Sequence, residues 1–145
     1  MEEHESVYSE MIDYHQKKLF KLLDCSVSVM YEQFSSTKIF SKILSIDKHR
    51  KEKGVKTFNY KDQANLAMEI NTCFASFIDN LKKYCPKLTK KELLLCCLFL
   101  RFHPLTISLC MGYSNTNNIN AHKKRIKQKM VKLSDAKFLF DFIFN

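Results

Sequence analysis

At 145 residues the chain is long enough for one well-buried domain, or for a small domain with a helical extension. With 46% hydrophobic residues and only two Gly and two Pro, it excludes a disordered chain and disfavours many short, turn-linked strands, so the expected class is all-α. The formal charge of +9 is concentrated: residues 86–145 carry 11 Lys/Arg against 3 Asp/Glu, whereas residues 1–85 carry 13 against 12. Such an asymmetry points to a polyanionic partner.

From about Tyr8 to Phe34 neither Gly nor Pro interrupts a helical pattern. Tyr8, Ile12, His15, Leu19, Leu22, Ser26, Val29 and Gln33 alternate spacings of four and three, a heptad-like seam. Beside it runs a second stripe of Phe20, Leu23, Val27, Met30 and Phe34. The helix can therefore pair with its twin as a coiled coil or pack as an ordinary amphipathic helix into its own domain. Ser35 and Ser36 offer caps for a shorter helix with Ile39, Phe40, Ile43 and Leu44 on one face. The charged run Lys48 to Gly54 reads as a solvated connection. Asn59 and Asp62 then start a long helix with a buried stripe of Leu66, Ile70, Phe74, Phe77, Leu81 and Tyr84, which Pro86 ends.

Thr89 and Glu92 form T-x-x-E, a capping box in which each side chain satisfies the other residue's backbone N–H, with Leu88 and Leu93 placed as a hydrophobic staple. The helix that follows, Leu93 to Leu100, is apolar all round and must be enclosed by neighbours. Pro104 opens a short helix with Ile107, Cys110 and Met111 inward, and Gly112 turns the chain. Ser114 or Asn115 caps a long basic helix with Ile119, Ile126, Met130 and Leu133 on its inner side. Turning by about 100° per residue places Asn117, Ala121, Lys124 and Gln128 opposite, flanked by Asn120 and Lys127. Asn117, Asn120, Ala121 and Lys124 are the candidate base-reading residues, and Lys123, Arg125, Lys127 and Lys129 the candidate phosphate neutralisers. Ser134 and Asp135 start a short apolar helix over Phe138 to Phe144, expected to fold back over Leu105, Leu109 and the Ile39/Phe40 helix.

The segment Leu88-Thr89-Lys90-Lys91-Glu92, followed by Ile107, Gly112, Ser114, Ile119, His122, Ile126, Lys129 and Met130, resembles the LuxR/FixJ (GerE) type of helix-turn-helix. The likeness covers about 45 residues, and one extra residue stands between the turn and Ile119. It implies a four-helix DNA-binding unit whose base-reading positions fall on Asn120, Ala121 and Lys124. Domains of this type in some bacterial regulators follow a coiled-coil segment that extends from a larger sensor.

The expected organisation is a helical region over 1–86, with a coiled-coil dimerisation role open to it, and a helix-turn-helix domain with an apolar tail over 87–145. The expected function is that of a bacterial transcriptional regulator with double-stranded DNA as partner, acting as a homodimer and joined to an upstream sensor region or protein partner. The alternative is a helical interaction module whose helix-turn-helix does not read DNA. Cys25, Cys73, Cys85, Cys96, Cys97 and Cys110 form no C-x-x-C or Cys/His ladder, no Gly-rich phosphate loop occurs, and the histidines are scattered. No catalytic residue, metal ligand or cofactor is therefore expected, and the chain is not expected to be an enzyme. Met1 is followed by acidic residues rather than a signal peptide, and no apolar run approaches the roughly 20 residues of a membrane span, so a cytoplasmic location is expected.

Overall fold

A computed structural model describes the backbone of residues 2–132 and 134–144, and the side chains of residues 7, 10, 11, 14–132 and 136–144. Eight α-helices follow one another in the described residues: α1 (Glu2–Phe34), α2 (Lys38–His49), α3 (Tyr60–Cys73), α4 (Ala75–Tyr84), α5 (Lys90–Phe99), α6 (Pro104–Cys110), α7 (Asn117–Val131) and α8 (Ser134–Phe144). Among those residues no helix is long and apolar enough to cross a membrane.

Of the two stripes on α1, the second packs. Val27, Met30 and Phe34 are buried and Leu23 is half-buried, whereas Leu19, Leu22 and Val29 are 49%, 60% and 66% exposed. His15, Ser26 and Gln33 of the first stripe are exposed as well, and the side chains of Tyr8 and Ile12 lie outside the described residues. The C-terminal half of α1 lies against α3, and its Tyr31 hydroxyl donates to the Cys97 carbonyl of α5 at 2.6 Å. Ser35 and Ser36 do not cap α2. Their hydroxyls turn back to the Glu32 and Gln33 carbonyls and close the end of α1, while the Thr37 hydroxyl accepts from Phe40 N–H and caps α2.

The helix expected from Asn59 to Pro86 is two helices. Asn59 caps it as read, its side chain accepting from Asp62 N–H at 2.8 Å, but the chain breaks at Phe74, whose φ and ψ are −109° and 21°. No Gly or Pro marks the break. The run Asn71-Thr72-Cys73 is weak in helix propensity, and the Thr72 hydroxyl bonds back to the Met68 carbonyl at 3.0 Å, a contact that bends helices. At the break the Phe74 ring lies in the core, with its centroid 4.8 Å from Tyr31 and 5.8 Å from Phe34.

α5 is the central helix. Thr89 and Glu92 make the capping box at 3.1 and 2.9 Å, Leu88 is buried beside it, and Leu93 to Leu98 are all buried. His103 caps α6 by accepting from Leu105 N–H, and α6 is enclosed on nearly every side. One of those sides is α2, where Thr106 donates to Asp47 at 2.6 Å. Residues from both sides of position 86 thus share one core.

α8 packs against α4, α5 and α7 and buries Ala136, Leu139 and Ile143. Its Phe138 and Phe142 rings meet Phe20 of α1 at 4.7 and 5.6 Å, and Phe144 meets Phe99 at 5.0 Å. The tail is folded, but not where the sequence suggests. α2 already covers α6, so the apolar surface left open lies instead along α4, α5 and α7. The side chains of Leu133, Ser134 and Asp135 lie outside the described residues.

Candidate nucleic-acid interface

α6, the turn and α7 are fixed from below by short-range chemistry. Gly112 has φ +85°, a left-handed conformation that side chains disfavour, and a Cβ there would stand 2.8 Å from Gln63 Nε2. Gln63 in turn donates to the Phe58 carbonyl at 3.0 Å, and Phe58 N–H donates to the Leu109 carbonyl at 2.9 Å. The turn is therefore seated on the start of α3. Neither cap candidate stands at the N-cap of α7: that position is Thr116, whose side chain makes no capping bond, and the Asn115 side-chain oxygen accepts from Asn117 N–H at 3.0 Å from one residue earlier, as an Asx turn. Ile119, Ile126 and Met130 are fully buried and orient the helix.

The opposite face is open. Asn117, Asn120, Ala121 and Lys124 are all exposed, and α7 contains no acidic residue, so this face offers donors without a repelling carboxylate. Arg125 and Lys127 flank it and are exposed too. The other two basic candidates are engaged elsewhere. Lys123, within about 40° of Ile119 on the helical wheel, leans over the Phe144 ring with its Nζ 5.2 Å from the centroid. Lys129 is ion-paired to Glu92.

The Glu92–Lys129 pair ties α7 to the first turn of α5. The Glu92 side chain is 5% exposed and that of Lys129 29%. Burial pushes the Glu92 carboxyl up, but hydrogen bonds from Lys129, from Thr89 N–H and from the Thr89 hydroxyl, together with the Lys129 charge, outweigh it and hold the group below its ordinary value. From sequence alone Glu92 belongs to the cap and Lys129 to the phosphate contacts. The signal for their pairing was present, because Lys129 follows His122 and Ile126 at helical spacing on a flank that turns inward.

His122 is half-buried on that same flank. Burial, then the nearby Lys91 and Arg125 charges, lower its pKa against the smaller opposing effect of Glu92. Lys91 is itself held by the Tyr113 hydroxyl at 2.7 Å, which joins the first turn of α5 to the turn before α7. No group of three or more His, Cys, Asp or Glu among the described residues could hold a metal ion. Five of the six cysteines are buried. Burial pushes the thiols of Cys73, Cys85, Cys96 and Cys97 up, and that of Cys110 up to about 12, away from the thiolate form that nucleophilic chemistry uses.

Comparison of the chain with protein-family models, with curated protein sequences and with solved structures yields no match.

Proposed function

We propose that this protein is a transcriptional regulator of the bacterial, cytoplasmic kind, which binds duplex DNA by laying α7 in the major groove. In this reading α5, α6 and α7 belong to a LuxR/FixJ-type helix-turn-helix unit, α8 is the apolar tail that follows it, and the preceding helices brace it. The observation that carries the proposal is the outer face of α7: Asn117, Asn120, Ala121 and Lys124 are exposed together, free of carboxylates, on a helix held rigidly by Ile119, Ile126 and Met130. Asn can pair bidentately with adenine and Lys with guanine, and a small Ala admits close approach to the base edges. Arg125 and Lys127 serve phosphates beside the groove.

The test is titration of the protein into labelled duplex DNA over a range of salt, followed by selection of bound sequences from random duplex. Binding should weaken steeply with salt, by about 0.9 in the slope of log K per neutralised phosphate, and selection should return a defined sequence. Salt-independent or absent binding would sink the proposal.

A second reading, a helical interaction module that does not read DNA, is favoured by one observation. α1 leaves Leu19, Leu22 and Val29 uncovered along one stripe. Retained fold with no duplex binding, together with a protein partner captured on that stripe, would decide for it.

A further inference from the structure

Beside α7 lies a groove that the recognition face does not include. It has a volume of about 420 Å³ and is lined by Cys85, Pro86 and Lys87 from the α4–α5 connection, and by Arg125, Gln128, Lys129 and Lys132 from α7 and its C-cap. Four cations line it and no carboxylate does. Lys129 is already neutralised by Glu92 beneath the wall. Lys87, Arg125 and Lys132 are exposed and form no ion pair among the described residues.

Three unpaired cations around one concavity repel one another, and a low-dielectric wall concentrates their field on whatever enters. The groove is also continuous with the outer face of α7. Ala121, Arg125, Gln128 and Lys132 follow at spacings of four, three and four, a single stripe from the candidate base-reading residues to the groove. A backbone strand bordering a major groove that holds α7 would run along that stripe.

We propose that this groove seats one phosphodiester of the DNA backbone. Lys87, Arg125 and Lys132 converge on the anion, and the Gln128 amide donates a neutral hydrogen bond to it. Lys87 and Lys132 thereby join the interface from outside the helix-turn-helix face, and the α4–α5 connection becomes a second point of attachment that sets the angle of α7 in the groove. The proposal rests on the reading of α7 as the DNA-facing helix.

The experiment measures duplex affinity against salt for the wild-type chain and for Lys87→Ala, Lys127→Ala and Lys38→Ala. The last removes the same charge from an exposed site on α2. The expected result for Lys87→Ala is a slope smaller by about 0.9, with an equal loss of affinity on two unrelated sequences, while Lys38→Ala leaves the slope unchanged. If Lys87→Ala behaves like Lys38→Ala while Lys127→Ala still loses slope, DNA binding stands and the groove proposal falls. If the wild-type chain shows no salt-dependent duplex binding, both fall. A third arm titrates inorganic phosphate. Phosphate that raises the melting temperature of the wild type but not of Lys87→Ala, with the duplex slope intact in both, would assign the groove to a free anion and overturn the phosphodiester proposal.

Discussion

Lys124 and Lys127 are one turn apart on α7 and carry the same charge, yet they stand differently toward a groove. Lys124 is on the outer face, and Lys127 flanks it. Replacing Lys124 with Ala should cost about 1–3 kcal/mol on a preferred sequence and much less on a random one, whereas Lys127→Ala should weaken both alike and lower the salt slope by about 1. Competition binding with specific and random duplex reads the difference, and equal loss of preference in both variants would show that the assigned face is wrong. Lys129 behaves otherwise again. Lys129→Ala leaves the Glu92 carboxylate buried without its partner, which should destabilise the fold by about 3 kcal/mol, the low end for a broken buried pair because Lys129 is partly exposed. Urea unfolding measures this, and a variant of wild-type stability that loses salt slope instead would return Lys129 to the phosphate contacts. Glu92 and His122 also make stability depend on pH. Both have folded pKa values lowered from 4.5 and 6.5, so each contributes stability that is present above its ordinary value and lost as pH falls through its folded one. Stability should therefore start to decline below about pH 6.5, where His122 takes a proton in the unfolded chain before it does in the folded one, and decline again below about pH 4.5 by the same imbalance at Glu92. His122→Gln should remove the first decline, and denaturant midpoints across this range would show whether it does.

Among the described helices, α8 is the richest in aromatic residues for its length, and its rings touch Phe20, Phe99 and Lys123 on three other helices. Each large side chain fully buried contributes roughly 1.5–3 kcal/mol. Removing residues 136–145 should lower the melting temperature and open a dye-binding apolar surface along α4, α5 and α7. An unchanged melting temperature with loss of a protein partner would make α8 an interaction motif. How much of each element was legible depended on how local its cause is. The caps at Asn59 and Thr89 and the turn at Gly112 are decided within four residues, and they stand where the sequence puts them. The break at Phe74 carries only the weak local signal of Asn71-Thr72-Cys73, and the seat of α8 is decided by surfaces contributed by other helices, to which spacing along one helix is blind. The same holds for α1, where two apolar stripes looked equivalent until the remaining helices selected Val27, Met30 and Phe34.

At the scale of the whole molecule, the unselected stripe of α1 invites a second copy. Leu19, Leu22 and Val29 follow the alternating spacing of a two-helix seam, and two-fold pairing would present two α7 helices to two half-sites. Self-association should appear in sedimentation at micromolar concentration, and replacing Leu22 with Glu should abolish it without altering the melting temperature, since that side chain is 60% exposed. A strict monomer, both free and on duplex, would remove the dimer from the reading. The candidate interface was only partly legible at this scale. The exposed donors of α7 follow from the wheel, but the diversion of Lys123 to Phe144 and of Lys129 to Glu92 depends on how α8 and α5 come to lie beside α7.

The hydrogen bond from Tyr31 to the Cys97 carbonyl spans 66 positions of sequence, and it bears on how the chain is made. A ribosome adding about 5–20 residues per second leaves α1 waiting roughly 3–13 s for Cys97, and longer for the rings of α8 that close over Phe20. During that interval the packing stripe of α1 can already rest on α3, while Tyr31 and Phe20 wait for their partners on α5 and α8. α1, made before the other seven helices of the described residues, is thus among the last to be finished.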